Sequence, residues 1–174
     1  DVTRTLKNMG HDAQPISLFD EQDLETFLAR VKKKRPELVF NLAEAFRTDR
    51  RHEAGIAALL EMLGIPFTGA GATALAVCKD KALAKKILSY HRVKTPGFLL
   101  SPRSRPLKRL KPLRFPVFVK PVDTEGSEGI AQAALAADEA AAVERVNFVH
   151  ESLGTDALVE EFIDGRELYS GVIG

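Results

Sequence analysis

Phe115-Pro-Val-Phe-Val-Lys-Pro-Val-Asp-Thr-Glu-Gly-Ser-Glu-Gly-Ile130 decides how the chain is read. The run from Val117 to Val119 is β-branched and aromatic, which predicts a short buried strand. Lys120 stands at its end, and the ring of Pro121 restricts Lys120 to extended backbone. An acidic loop bearing Gly126, Ser127 and Gly129 follows, then a second alternating run from Ile130. Strand, lysine, flexible loop and strand suit a polyphosphate: the lysine supplies a point charge, and glycines let backbone N–H groups close on phosphate oxygens. The same pattern also describes a tight hairpin with a surface lysine.

A second segment shifts the balance: Ala157-Leu-Val-Glu-Glu-Phe-Ile-Asp-Gly-Arg-Glu-Leu168. Upstream stand Val39-Phe40-Asn41, Leu63-Gly-Ile-Pro-Phe-Thr-Gly69, Lys79-Asp-Lys81 with a helical pattern behind it, and Thr95-Pro96. With Phe118-Val-Lys-Pro121, these segments resemble the ATP-grasp superfamily, nearest to the D-alanine–D-alanine ligase group. They follow the family's order and roughly its spacing across nearly the whole chain.

The resemblance implies an α/β fold in two parts. Residues 1–96 would form a Rossmann-like, parallel-sheet pre-ATP-grasp domain, and residues 97–174 a small α+β ATP-grasp subdomain that acts as a nucleotide lid. The family places a strand before Val2, so the chain is expected to begin inside a domain. It also places the catalytic and metal-binding residues beyond Gly174, so Mg2+ ligands are expected downstream.

Composition sets outer limits. The chain has 174 residues, 45% of them apolar, enough for a real core in one large or two small domains. A net charge of +1 gives no global field to recruit nucleic acid or an anionic membrane. No apolar run approaches the roughly 20 residues that span a bilayer. Cys78 is the single cysteine, which excludes an internal disulfide framework and makes a cytosolic setting the default. Its apolar surroundings predict a packing role.

Taken in order, residues 2–9 predict a helix closed by Gly10, and 16–19 a strand. Asp20 caps a helix with Leu24, Phe27, Leu28 and Val31 at helical spacing. Its basic end, Lys32-Lys-Lys-Arg35, complements the helix macrodipole and has no aromatic neighbours for nucleic acid. Strands are predicted at 38–41 and 65–68, with a helix over 53–63 between them, the pattern of a parallel sheet. In the loop 42–51, Glu44 is a candidate for substrate contact, although the family's usual motif is absent there. Gly69-Ala-Gly-Ala-Thr-Ala74 fits G-x-G-x-x-A, but no acidic residue ends a following strand near Ser89, so the glycines predict a tight turn rather than NAD binding.

Lys79-Asp-Lys81 opens a helix with Leu83, Ala84, Ile87 and Leu88 on its apolar face. Pro96-Gly97 marks the domain junction. Residues 101–112 carry three prolines and many cations and predict an exposed connection without the aromatics that stack RNA. A return strand is predicted at 130–134, a helix capped by Asp138 to about 149, a strand at 155–162, and a partner strand at 167–173 after the Asp164-Gly165 turn.

By resemblance, ATP is held by Lys81 and Lys120 along its phosphates and by the backbone of Gly126, Ser127 and Gly129. Glu160 lies near the exocyclic amine, Glu161 C=O and Ile163 N–H read the adenine, and Glu167 takes the ribose hydroxyls. The loop 123–129 closes over the phosphates and excludes water. The implied reaction joins a carboxylate to an amine through an acyl phosphate, with amino acids as substrates and Mg2+ on the phosphates; neither nucleic acid nor membrane is involved. A homodimer is compatible with the family, and the isolated chain is expected to bind ATP weakly and not to turn over. Two other readings stay open, a non-catalytic nucleotide-binding module and an NAD-dependent enzyme using Gly69 to Ala74.

Overall fold

The computed structural model describes residues 1–107, 109–110, 112–123 and 134–172. The chain divides into two compact units, Asp1–Ala76 and Val77–Gly174.

The first unit is built on helices α1 (Val2–Asn8), α2 (Glu21–Lys33) and α3 (Glu53–Met62), and α4 (Ala72–Lys79) begins in it. Each start has a local cause. The Asp1 carboxylate accepts from Thr3 N–H at 2.9 Å, and that of Asp20 from Asp23 N–H at 2.9 Å, satisfying donors that a helix leaves orphaned. Phe27 on α2 and Leu60 on α3 bury against Ile65, with Leu18, Val31 and Val39 packed around them. The basic end of α2 also holds structure in place. The Arg35 guanidinium donates to the carbonyls of Leu63, at 3.0 Å, and Gly64, closing the end of α3. Gly64 sits at φ +62°, where a side chain would be strained.

The parallel sheet expected here is reduced, among the described residues, to one parallel bridge between Val39 and Phe67. Val39 N–H donates to Pro66 O at 2.8 Å, and Thr68 N–H to Val39 O at 3.0 Å. Residues 16–19 form no strand. Parallel strands need cover on both faces, whereas Leu38 and Phe40 are 55% and 46% exposed.

The second unit contains α5 (Lys81–Tyr90), β1 (Phe98–Ser101), β2 (Val117–Pro121), β3 (Leu135–Ala136), α6 (Glu139–Phe148) and β4 (Ala157–Glu161). The strands form one antiparallel sheet in the order β1-β4-β2-β3. Side chains alternate between its faces. Val117, Val119, Ala157 and Val159 point to one face and bury against Ala142, Val146 and Val149 at and beyond α6. Leu158 and Val122 point to the other and bury against Ala82 of α5, with Phe98 and Leu100 beside them. Burying each Val or Leu contributes about 1.5–3 kcal/mol.

Several expectations change here. The expected junction at Pro96 falls inside the second unit, because Ala82 packs on the sheet. On α5 the buried residue is Ala82, while Leu83, Ile87 and Leu88 are exposed, so the helix turns a different face inward from the one its hydrophobicity suggests. The connection 101–112 is anchored rather than free: Leu110 is buried, its N–H donates to Glu139 Oε1 at 2.8 Å, and Leu107 N–H donates to Ser101 Oγ at 3.0 Å. Residues 166–172 form no strand, and Leu168, Tyr169 and Val172 project from the surface. Cys78 is exposed rather than packed. Of the return strand at 130–134, only Ala134 lies within the described residues.

Leu158→Ala is expected to lower the stability of the second unit by about 3 kcal/mol, the usual cost of an unfilled buried leucine site. Leu168→Ala, at a surface position, is expected to change it by less than about 0.5 kcal/mol. Urea titrations followed by circular dichroism compare them; equal midpoints for the two variants would contradict this core.

Candidate functional site

Sheet geometry assembles the site. In the β2–β4 pair Phe118 lies opposite Glu160 and Lys120 opposite Leu158, so Lys120 and Glu160 are diagonal neighbours on one face. That face is the one α5 covers. Ala82 anchors α5 there, and Lys85, three residues on, emerges from the same helix face. Lys85 Nζ lies 2.8 Å from Glu160 Oε2, and Lys120 Nζ donates to Glu160 Oε1. The ammonium groups sit beside aromatic rings, Lys85 5.5 Å from the Phe98 centroid and Lys120 5.2 Å from that of Phe118.

The cluster is withdrawn from water, the side chains of Glu160, Lys85 and Lys120 being 10%, 15% and 28% exposed. Burial pushes the Glu160 carboxyl up, but the hydrogen bonds from Lys120 and Lys85 outweigh it and hold the group below its ordinary value. One carboxylate faces two ammonium ions, so the site carries one surplus positive charge in a partly dry setting. Such an arrangement favours an anion and stabilises the fold little by itself.

The end of β4 supplies a second element. Glu161 N–H donates to Gly97 O at 2.9 Å, and Phe162 N–H to Pro116 O at 3.0 Å. Among the described residues, Glu161 C=O and Ile163 N–H take no backbone partner outside the strand pairing. They lie directly beyond Glu160, where the Phe162 ring stacks on Phe118 with centroids 5.9 Å apart. A flat ring with a donor and an acceptor on one edge would meet complementary backbone groups here.

The other sequence-predicted residues are placed as follows. Lys81 Nζ donates to Val122 O at 3.4 Å, so it lies beside the end of β2 and outside the Glu160 cluster. Lys85 is not among the residues singled out by sequence, although its position one turn after Lys81 and three residues after a small inward-facing alanine is the available signal. Glu167 is exposed and accepts from the Tyr169 hydroxyl at 3.1 Å. Gly126, Ser127 and Gly129 lie outside the described residues. In the first unit, Glu44 Oε2 stands 3.9 Å from Arg50 Nη2.

The glycines at 69–74 form the expected turn, with Gly69 at φ +102°. The N-terminus of α4 that a dinucleotide would use is occupied by the chain itself: Ala72 N–H donates to Glu61 Oε1 at 2.9 Å. A Cβ on Gly71 would lie 2.6 Å from that same oxygen, so Gly71 makes room for an internal carboxylate rather than a pyrophosphate. No group of three or more His, Cys, Asp or Glu side chains among the described residues could hold a metal ion.

A group whose folded value is depressed contributes stability that is complete above its ordinary value and is lost as pH falls through the folded one. For Glu160 that ordinary value is 4.5. Wild-type protein is therefore expected to lose stability on acidification below about pH 4.5 partly through this group. Glu160→Gln is expected to cost about 3 kcal/mol at pH 7, because it leaves two lysines without their counter-charge. It is also expected to flatten the acid limb. Urea midpoints at pH 7, 5 and 3 test both, and a variant as stable and as acid-sensitive as wild type would contradict the cluster.

No protein-family model matches the chain. Individual relatives do. The chain is 33% identical over 170 residues to a protein named D-alanine–D-alanine ligase from Gluconobacter oxydans, covering 97% of this chain and 52% of that one. It is 32% identical over 178 residues to the uncharacterized protein y4sG of Sinorhizobium fredii, covering 99% and 51%. Its fold matches that of a D-alanine–D-alanine ligase from Bacillus anthracis solved in complex with ATP, with a TM-score of 0.62 at 24% identity, over 81% of this chain and 45% of that one. The chain thus spans about half the length of the curated relatives it matches. With a lysine-tipped strand and a paired-glutamate strand side by side in one sheet, it is a member of the ATP-grasp superfamily and is D-alanine–D-alanine ligase-like.

Proposed function

We propose that the protein carrying this chain is an ATP-dependent ligase that joins a carboxylate to an amine, with amino acids as its substrates. The observation that carries this reading is the Lys85–Glu160–Lys120 cluster, with Glu161 C=O one residue and Ile163 N–H three residues further along the same segment. Phosphates would meet the two lysines while the adenine edge meets Glu161 C=O and Ile163 N–H, with Phe118 and Phe162 alongside the ring. Glu160 holds the two lysines together and oriented before the nucleotide arrives. Glu167 takes the ribose hydroxyls in place of its present Tyr169 partner.

In this reading a substrate carboxylate oxygen attacks the γ-phosphorus of ATP, ADP leaves, and the acyl phosphate formed is attacked by the amine, releasing phosphate. What this chain supplies is position and charge neutralisation. Residues 1–96 correspond to a pre-ATP-grasp domain of Rossmann-like descent and 97–174 to the nucleotide-binding subdomain, although α5 belongs with the latter in space. The described residues offer no fitting Mg2+ site. We place this enzyme in the cytoplasm, with small molecules rather than nucleic acid as its partners.

The lysine assignment differs from the one motif resemblance alone implies. We place Lys85, with Lys120, on the phosphates, and Lys81 at the end of β2. Direct titration with ATP is expected to show losses of about tenfold or more for Lys85→Ala and Lys120→Ala, and less than about threefold for Lys81→Ala, tenfold being about 1.4 kcal/mol. A larger loss for Lys81→Ala returns the phosphate role to Lys81. ADP release that depends on an added amino acid supports the ligase reading, and protection against unfolding by NAD but not ATP would contradict it.

A further inference from the structure

In the reading above only the backbone of Glu161 meets a ligand, and its side chain is left without a role. The carboxylate nevertheless folds back. Oε1 accepts the Arg114 backbone N–H at 2.9 Å, and Arg114 Nε lies 3.5 Å from the same oxygen. The Glu161 side chain is only 16% exposed, whereas that of Arg114 is 89% exposed. Gly97 admits it: a Cβ there would lie 3.1 Å from the carboxyl carbon and 3.3 Å from each oxygen. The backbone joins the same segments, since Glu161 N–H donates to Gly97 O and Phe162 N–H to Pro116 O. The residue before β1, those before β2 and the end of β4 therefore meet on one carboxylate. The Arg114 backbone N–H is the main influence holding that carboxyl below its ordinary value, ahead of the guanidinium. The side chain thus works chiefly as a hydrogen-bond acceptor.

We propose that Glu161 is a positioning residue whose carboxylate, by capping Arg114 N–H, fixes the angle at which residues 161–163 present their backbone groups to the base. The inference rests on the nucleotide reading given above. One acceptor followed by one donor matches adenine, whose exocyclic amine donates and whose neighbouring ring nitrogen accepts. Guanine presents a carbonyl and a ring N–H in the same places and meets both with the wrong polarity. Releasing the carboxylate lets the segment rotate, which weakens adenine recognition and leaves the two lysines untouched.

The test titrates the full-length protein with ATP, GTP and inorganic triphosphate. Glu161→Ala is expected to weaken ATP about tenfold, with triphosphate binding within about twofold of wild type and the preference for ATP over GTP reduced. Glu161→Gln keeps an oxygen that can accept from Arg114 N–H and is expected to stay within about threefold for ATP. Gly97→Val, which displaces the carboxylate without altering it, is expected to reproduce Glu161→Ala. Unchanged ATP affinity in Glu161→Ala overturns the inference, as does a parallel loss of ATP and triphosphate, or a Gln variant as weak as the Ala variant. A wild type that binds triphosphate but does not prefer ATP to GTP overturns it while leaving the phosphate site standing. One that binds neither ATP nor triphosphate overturns the nucleotide reading as well.

Discussion

Withdrawing a carboxylate from water is costly unless cations come with it, and Glu160 brings two. That demand links the elements of the second unit. Strand alternation sets Glu160 and Lys120 on the same face, diagonal across β4 and β2. The small side chain of Ala82 lets α5 approach that face closely, and helix periodicity then carries Lys85 to the other carboxylate oxygen. Replacing the trio with apolar residues of similar size would stabilise a fold at least as well, so its presence speaks for a ligand. A surplus positive charge beside the end of a strand is the device a triphosphate needs.

The two faces of the sheet divide the work. The α6 face is mostly apolar, with Val117, Val119, Val146 and Val159 almost inaccessible, and it provides the rigidity. The α5 face carries the charges and the aromatic rings of the proposed nucleotide site. A functional constellation on regular elements is held more precisely than one on loops, because each side chain's direction follows from its register. In the first unit polar interactions close helix ends: caps on helix starts, Arg35 on the end of α3, and Glu61 on the start of α4.

Short-range signals are legible in the sequence. Asp20 and Asp138 cap helices as their chemistry predicts, and the runs around Val117–Pro121 and Ala157–Glu161 are strands. Side-chain direction between elements is not legible in the same way. Leucine and isoleucine on α5 suggest an inward face, yet the sheet selects Ala82 because only a small residue allows close approach, and this choice brings Lys85 rather than Lys81 to Glu160. Strand β1 escapes local reading because Pro96-Gly97 looks like a boundary, while its pairing partner β4 lies far along the chain. Alternation of helices and apolar runs overstates the parallel sheet: such runs announce burial, but hydrogen-bonded pairing depends on neighbours that local pattern does not encode. The G-x-G-x-x-A segment shows how a motif can serve an internal ligand, with Glu61 sitting where a phosphate would be expected.

The central claim is that one nucleotide spans the lysine cluster and the backbone beyond Glu160. A crystal structure of the full-length protein with a non-hydrolysable ATP analogue tests it most directly. The account predicts phosphate oxygens within hydrogen-bond reach of Lys85 and Lys120 and an adenine edge on Glu161 C=O and Ile163 N–H. A nucleotide seated at Gly69 to Ala74, or one whose phosphates avoid both lysines while Glu160 keeps them, would contradict it.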